Sequence, residues 1–352
     1  MIAFAIAGLL CVSDQAKLES HITRGVQYLV RSQKTDGSFG RSDAITGDVG
    51  TTGLAVQALA DSALEASPER LRAIGRGLRF LENRIQADGL AYDPSEGLRV
   101  FKTAMAARAF SVSNIPRYRA RAVELMARIG SATRFESQST DDAQAAEGFE
   151  GRDTAELLKA LSAEPGTDQA TDRAIAFLLQ LDHSTTEADE AHSATASTIP
   201  HDQPGYVSYE SLPSLIYRDL RLEDADVIAV LKALREKFTL AENPDLTRRF
   251  ARQSKSAGEQ GLYFNLLVVA RVLSLLPDTE FVTDSGARHD WVALLSQRLC
   301  SLQMQDGSWA NSDPRWWEGS PALTTSYAIL TLRLCQARSL ADIVNSPPSQ
   351  RK

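Results

Sequence analysis

Apolar positions along the chain recur with a helical period, and they do so in pairs of unlike stretches. Ile22, Val26, Leu29 and Val30 share one face of an amphipathic stretch that ends at Asp36-Gly37. "TTGLAVQALADSAL" (51–64) follows, apolar or small nearly all round. The pair then restarts. Ser67-Pro68 predicts an N-cap with proline at the first helical position. Leu71, Ile74, Leu78, Leu81 and Ile85 form the next stripe, Asp88-Gly89 ends it, and "VFKTAMAARAFSV" (100–112) is the second small-residue helix. An amphipathic helix is half-buried, whereas one that is apolar all round is buried on both sides. The alternation therefore predicts two layers, an outer one and an inner one.

The two Asp-Gly turns are 52 residues apart, and Asp36 and Asp306 are 270 apart, which is five steps of 54. That period predicts six units, with three further joints near positions 142, 196 and 250. Helix pairs fill them: 118–129 with 153–161, 172–181 with 208–220, 224–238 with 260–276, and 290–303 with 321–337. No stretch has a persuasive strand pattern. The expectation is an all-α fold in which six helical hairpins close into an α6/α6 toroid. An open α-solenoid is the alternative, and it would need polar faces at both ends.

Residues 1–16 differ from the rest. "MIAFAIAGLLCVS" is too short to span a bilayer as a helix and resembles the apolar region of a secretory signal, with a small-x-small site at Cys11-Val12-Ser13. No Lys or Arg precedes it. Residues 1–16 are thus expected to be a signal peptide or an apolar N-terminal segment. A signal would take the protein to the periplasm or cell envelope; without one it would stay cytoplasmic. Residues 17–340 are expected to form one toroid domain with a polar insertion at about 183–205, and 341–352 a flexible tail.

Net charge is −7 and the pI is near 5.4, which argues against a nucleic-acid partner. Cys300 and Cys335 lie in apolar helical contexts, so buried thiols are expected rather than a disulfide framework, and no zinc-type CxxC spacing occurs. No cofactor or metal is implied.

Two stretches follow one plan: "QKTDGSF" at Gln33, Asp36, Gly37 and Phe39, and "QMQDGSW" at Gln303, Asp306, Gly307 and Trp309. This Q-x-x-D-G-S-aromatic pattern between helix pairs resembles the QW repeat of squalene–hopene cyclases and prenyltransferase β subunits. The last third, with "GYVSYESLPSLIYRDL", "FTLAENPDLT", "QGLYFNLLVVARVL" and "QDGSWANSDPRWWEGSPALTTSYAILTL", is similar to bacterial prenyltransferase and squalene oxidase repeat proteins. The resemblance covers about 16–336 and implies the terpenoid cyclase and protein prenyltransferase toroid, with isoprenoid chemistry in a central cavity. Where those relatives carry a polar His-Thr pair after the GLY motif, this chain has Leu267 and Val268.

The residues do not complete any of the catalytic sets that the resemblance implies. Cyclases protonate an alkene with D-x-D-D, in which one acid stays protonated in an apolar pocket. That motif is absent, Asp141-Asp142 reads as a loop, and Asp224 reads as a helix cap. Zinc prenyltransferases need an Asp, a Cys and a His from inner helices, which the sequence does not offer. "SAGEQG" has Ala257 where thioester domains of the same fold have cysteine. Paired carboxylates of a glycan-active barrel could come from Asp48, Glu210, Asp313 or Glu318, of which Asp313, Glu318 and Asp48 are the weak catalytic candidates. His183, His192 and His201 lie nine residues apart in a polar stretch, too far apart in sequence to suggest one metal site.

An aromatic and hydroxyl set remains: Tyr206, Tyr209, Tyr263, Trp316, Trp317, Thr324, Thr325 and Tyr327. Such a set would suit a cavity for an apolar chain, and it also suits core packing. The expected function is binding of an isoprenoid or other apolar small molecule. The alternatives are a non-enzymatic exported scaffold that binds protein or glycan and, more weakly, a glycan-active α/α barrel. Asp313, Trp316, Trp317 and Glu318 are where a site is expected first.

Overall fold

The computed structural model describes residues 2–60, 67–94, 99–136, 220–243, 257–314 and 317–345. Among these the chain is mostly helical. The helices are α1 (Ile2–Ser32), α2 (Val49–Ala60), α3 (Pro68–Glu82), α4 (Arg99–Ser111), α5 (Pro116–Glu136), α6 (Ala225–Glu236), α7 (Leu262–Leu273), α8 (Trp291–Leu302) and α9 (Pro321–Asn345). The predicted joints near 142, 196 and 250, the helix pair 172–181 with 208–220, residues 153–161 and the histidine stretch all lie outside the described residues.

Two layers emerge from the packing. Helix α2 is buried along nearly its whole length, and α7 is buried from Leu262 to Leu273 on most positions. Helices α4, α2, α9 and α7 form a row in which each packs on the next. Helices α3, α1, α8 and α6 lie outside that row, each against its hairpin partner, with α5 against α4. The outer helices bury one stripe: α6 buries Val227, Val230, Leu231 and Leu234, and α8 buries Trp291, Val292, Leu295 and Leu299. Sequence period and packing agree here because an outer helix has one dry face and an inner helix has at least two.

Helix starts follow local chemistry. Ser67 accepts the Arg70 N–H at 3.2 Å and Pro68 opens α3. Asp290 accepts the Ala293 N–H at 3.0 Å at the head of α8. Asp224 is the N-cap of α6, but its side chain turns back to the Arg221 N–H at 3.0 Å. The apolar segment from residue 2 to 16 runs without a break into the outer helix of the first hairpin, since α1 is continuous from Ile2 to Ser32.

The joints repeat in atomic detail. Asp36 Oδ1 accepts from the N–H and the hydroxyl of Ser38 at 3.0 and 2.6 Å; Asp306 Oδ1 accepts from those of Ser308 at 2.9 and 2.7 Å. Gly37, Gly89 and Gly307 take φ of 90°, 85° and 92°, a region that suits glycine. Gln33 Nε2 donates to Gly37 O and to Ala73 O, both at 2.8 Å, so the first joint is tied to α3. Gln303 Nε2 donates to Gly307 O and to His21 O, both at 2.9 Å, so the last joint is tied to α1. Added Cβ atoms would meet Arg76 O at Gly37, the Arg128 side chain at Gly89 and Arg24 O at Gly307. Arg24, Arg76 and Arg128 are spaced by 52 residues. Each of these joints thus rests on the same place of an outer helix, and for the last joint that helix is the first of the chain. Helix α9 packs on both α1 and α2, and Arg333 in α9 pairs with Glu19 in α1 at 3.3 Å.

One element departs from expectation. Glu280–Val282 and Arg288–Asp290 pair as an antiparallel hairpin, with Gly286 at φ 80° in its turn. Three-residue strands are too short to show alternation in sequence. Cys300 and Cys335 are free thiols; burial pushes Cys335 up to about 12 and raises Cys300 as well.

Candidate functional site

The segment between the last joint and α9 is where Glu318 lies, and it reaches across to the start of α7. Glu318 is fully buried. Its Oε1 accepts the Phe264 N–H at 2.8 Å, and its Oε2 accepts the Tyr263 N–H at 3.3 Å and the Asn311 amide at 2.6 Å. The first N–H groups of a helix lack intrahelical partners, and α7 finds them in a carboxylate more than fifty residues away. Burial pushes the Glu318 carboxyl up to about 7, against the downward pull of these hydrogen bonds.

Around it the segment is braced. Asn311 also donates to Glu259 O at 2.6 Å, and its N–H donates to Glu318 O at 3.2 Å. Ser312 donates to the Glu259 carboxylate at 2.5 Å. Asp313 N–H donates to Asn311 Oδ1 at 3.1 Å. Trp317 takes φ 59°, the one left-handed non-glycine among the described residues, and the residue is 63% exposed. Its neighbour Glu318 is anchored on α7, so the chain crosses from an outward ring to an inward carboxylate in one residue.

Tyr263 is buried, with its hydroxyl donating to Ala310 O at 3.3 Å; burial and then the nearby Glu318 raise its phenol. Tyr327 is buried and meets Phe264 edge to face at 6.0 Å, which links α9 to α7. Thr324 and Thr325 are buried at the joint: the Thr324 hydroxyl donates to Trp309 O, and Thr325 Oγ1 accepts the Trp309 N–H at 3.0 Å. Trp309 is enclosed, with its indole N–H donating to Leu299 O at 2.8 Å. Asp48 caps α2, accepting the Thr51 N–H at 2.7 Å. Tyr206, Tyr209, Glu210 and Trp316 lie outside the described residues.

The structure therefore brings together Tyr263, Glu318 and the start of α9, and leaves Asp48 at another hairpin. It also adds residues that the sequence reading passed over. Thr52 Oγ1 accepts the Phe39 N–H at 2.9 Å and Thr103 Oγ1 accepts the Ala91 N–H at 2.9 Å, as Thr325 does for Trp309. The signal was present as a threonine 13, 12 and 16 residues after the backbone it binds. Asn311 and Glu259 had no motif to mark them.

The chain matches no protein-family model and no curated protein sequence.

Proposed function

We propose that the chain is a squalene-cyclase- and prenyltransferase-like α6/α6 toroid that binds an isoprenoid or other apolar ligand in its central cavity without transforming it. The observation that carries this reading is the seating of the last joint on the first helix. A joint that passes each hairpin to the next, and the last to the first, is what a closed ring requires, whereas an open solenoid would leave α1 uncovered on that side. The QW-type sequence of these joints supports the same family of rings.

Binding suits the site better than catalysis. The Glu318 oxygens are occupied by the N–H groups of α7 and by Asn311, and no surface of the carboxyl is open. Asp48 is engaged at the head of α2. A general acid must come within hydrogen-bond reach of the group it protonates. The largely apolar composition of the inner helices is what a lining for a polyprenyl chain would require.

One observation favours a second reading, a scaffold that binds protein or glycan at the ring's face. Trp317 presents its ring to solvent from a fixed, left-handed backbone. Export to the periplasm or cell envelope would accompany either reading if residues 1–16 act as a signal. Mass spectrometry of lipids that co-purify with the chain from an envelope extract tests the first reading. A retained isoprenoid is expected; a lipid-free chain under native conditions contradicts it, and steady turnover of an isoprenoid diphosphate contradicts the non-catalytic part.

A further inference from the structure

An open groove of about 670 Å³ lies between α1 and α3 on the outer layer. It is lined by Val30, Leu71, Gly75 and three arginines, Arg72, Arg76 and Arg79, with Glu69 at one end. The arginines are spaced as i, i+4 and i+7, so they share one face of α3 over roughly 10 Å. Three guanidiniums face one carboxylate, and that carboxylate is already 2.7 Å from Arg72. The chain as a whole carries −7, so this is a local inversion of sign.

The repeat shows which part of this is structural. Arg24, Arg76 and Arg128 occupy equivalent positions beneath successive joints. Positions equivalent to Arg72 and Arg79 are Ser20 and Gln27 in α1, so two of the three guanidiniums are additions of the second hairpin. The equivalent arginines also behave differently. At the last joint Arg24 Nη2 donates to Gln303 Oε1. At the first joint Gln33 Oε1 is buried with no hydrogen-bond partner, and so is Arg76 Nε. Arg76 does not repeat the bond that Arg24 makes, and its side chain lines the groove.

From this we infer that the α1–α3 groove is a docking surface for an acidic, amphipathic helical segment of a partner protein. Carboxylates on such a segment at i, i+4 and i+7 would match the arginine spacing, and guanidiniums pair with carboxylates through two parallel hydrogen bonds. The apolar part of the segment rests on Val30 and on Leu71, which is 54% exposed. Gly75 leaves the approach open, since nothing lies within 4 Å of where its Cβ would be. A free phosphate ion would not use Leu71, and a flat bilayer would not follow a groove between two helices.

The test is fluorescence anisotropy of the full chain with a fluorescein-labelled helical peptide carrying Glu at i, i+4 and i+7 and Leu between them. A Lys-for-Glu version and phosphatidylserine vesicles serve as competing probes. The Glu peptide is expected to bind, more weakly as salt rises, and Arg76→Glu and Arg79→Glu should each weaken it about tenfold. Arg121→Glu on α5 should leave it unchanged. Arg79 is exposed, so its variant reports on docking even if Arg76→Glu disturbs the joint. Equal binding of the Glu peptide by wild type and Arg79→Glu overturns the inference, as does equal binding of the Lys peptide, or capture by vesicles with no binding of the peptide.

Discussion

Gln303 reaches the carbonyl oxygen of His21 at 2.9 Å, joining residues 282 positions apart in the same way that Gln33 reaches Ala73 at 2.8 Å. His21 Nδ1 lies 2.6 Å from Gln303 Oε1, so the long-range joint is more fully bonded than the local one. Substituting Gln303 by Ala removes these bonds and leaves buried groups without partners, at a cost of about 1–3 kcal/mol. Urea unfolding should show that loss, and hydrogen exchange should speed up in both α1 and residues 303–309. Faster exchange in residues 303–309 alone would mean that the joint does not hold the chain's two ends together.

The joint glycines should tolerate alanine poorly for two reasons at once. Gly307 sits at φ 92° and its added Cβ would lie 2.5 Å from Arg24 O; Gly37 sits at φ 90° with 2.6 Å to Arg76 O. Each Gly→Ala change should cost more than about 1 kcal/mol. Gly75→Ala is the control, because it lies within α3 with open space around it, and it should stabilise by up to about 1 kcal/mol. Denaturant midpoints of the three variants check the order.

The inner-helix threonines should prove structural and equivalent. Thr52, Thr103 and Thr325 each accept the N–H of a joint residue, at 2.9, 2.9 and 3.0 Å. Thr→Val keeps the shape and removes the acceptor, which should cost about 1–3 kcal/mol at each site. Thr→Ser should recover most of it. A Thr325→Val chain as stable as wild type would show that the hydroxyl does not hold the joint.

Glu318 should make stability depend on pH in an unusual direction for a carboxylate. Its folded-state value is pushed up to about 7, above the ordinary 4.5. The unfolded chain therefore releases this proton first, and the protonated form favours folding. The associated stability is fully present below about pH 4.5 and is lost as pH rises through about 7, by an amount on the order of 3 kcal/mol. Glu318→Gln should flatten that part of the urea-midpoint profile. An unchanged profile in the variant would assign the pH dependence to other groups.

Much of the fold was legible because one-sided and all-round apolar helices differ in composition. The Ser67-Pro68 start, the Asp-Gly turns and the enclosed Trp309 all follow from local chemistry visible in a single sequence. The site was legible only as an address. Glu318 stood out as an acid near a helix start, but its partners Tyr263 and Phe264 lie on another hairpin, and no spacing rule reaches that far. Thr324 and Thr325 read equally well as cavity wall or joint, and their hydroxyls meet the backbone of Trp309. The hairpin at Glu280–Asp290 was hidden by its short strands.

Native mass spectrometry of the full chain incubated with squalene and with geranylgeraniol decides whether the chain holds an apolar ligand and leaves it unchanged. A closed, apolar, non-catalytic ring predicts a one-to-one complex in which the ligand keeps its mass and, after extraction, its retention time. Absence of any complex with either ligand, or recovery of a cyclised or transferred product, would contradict it.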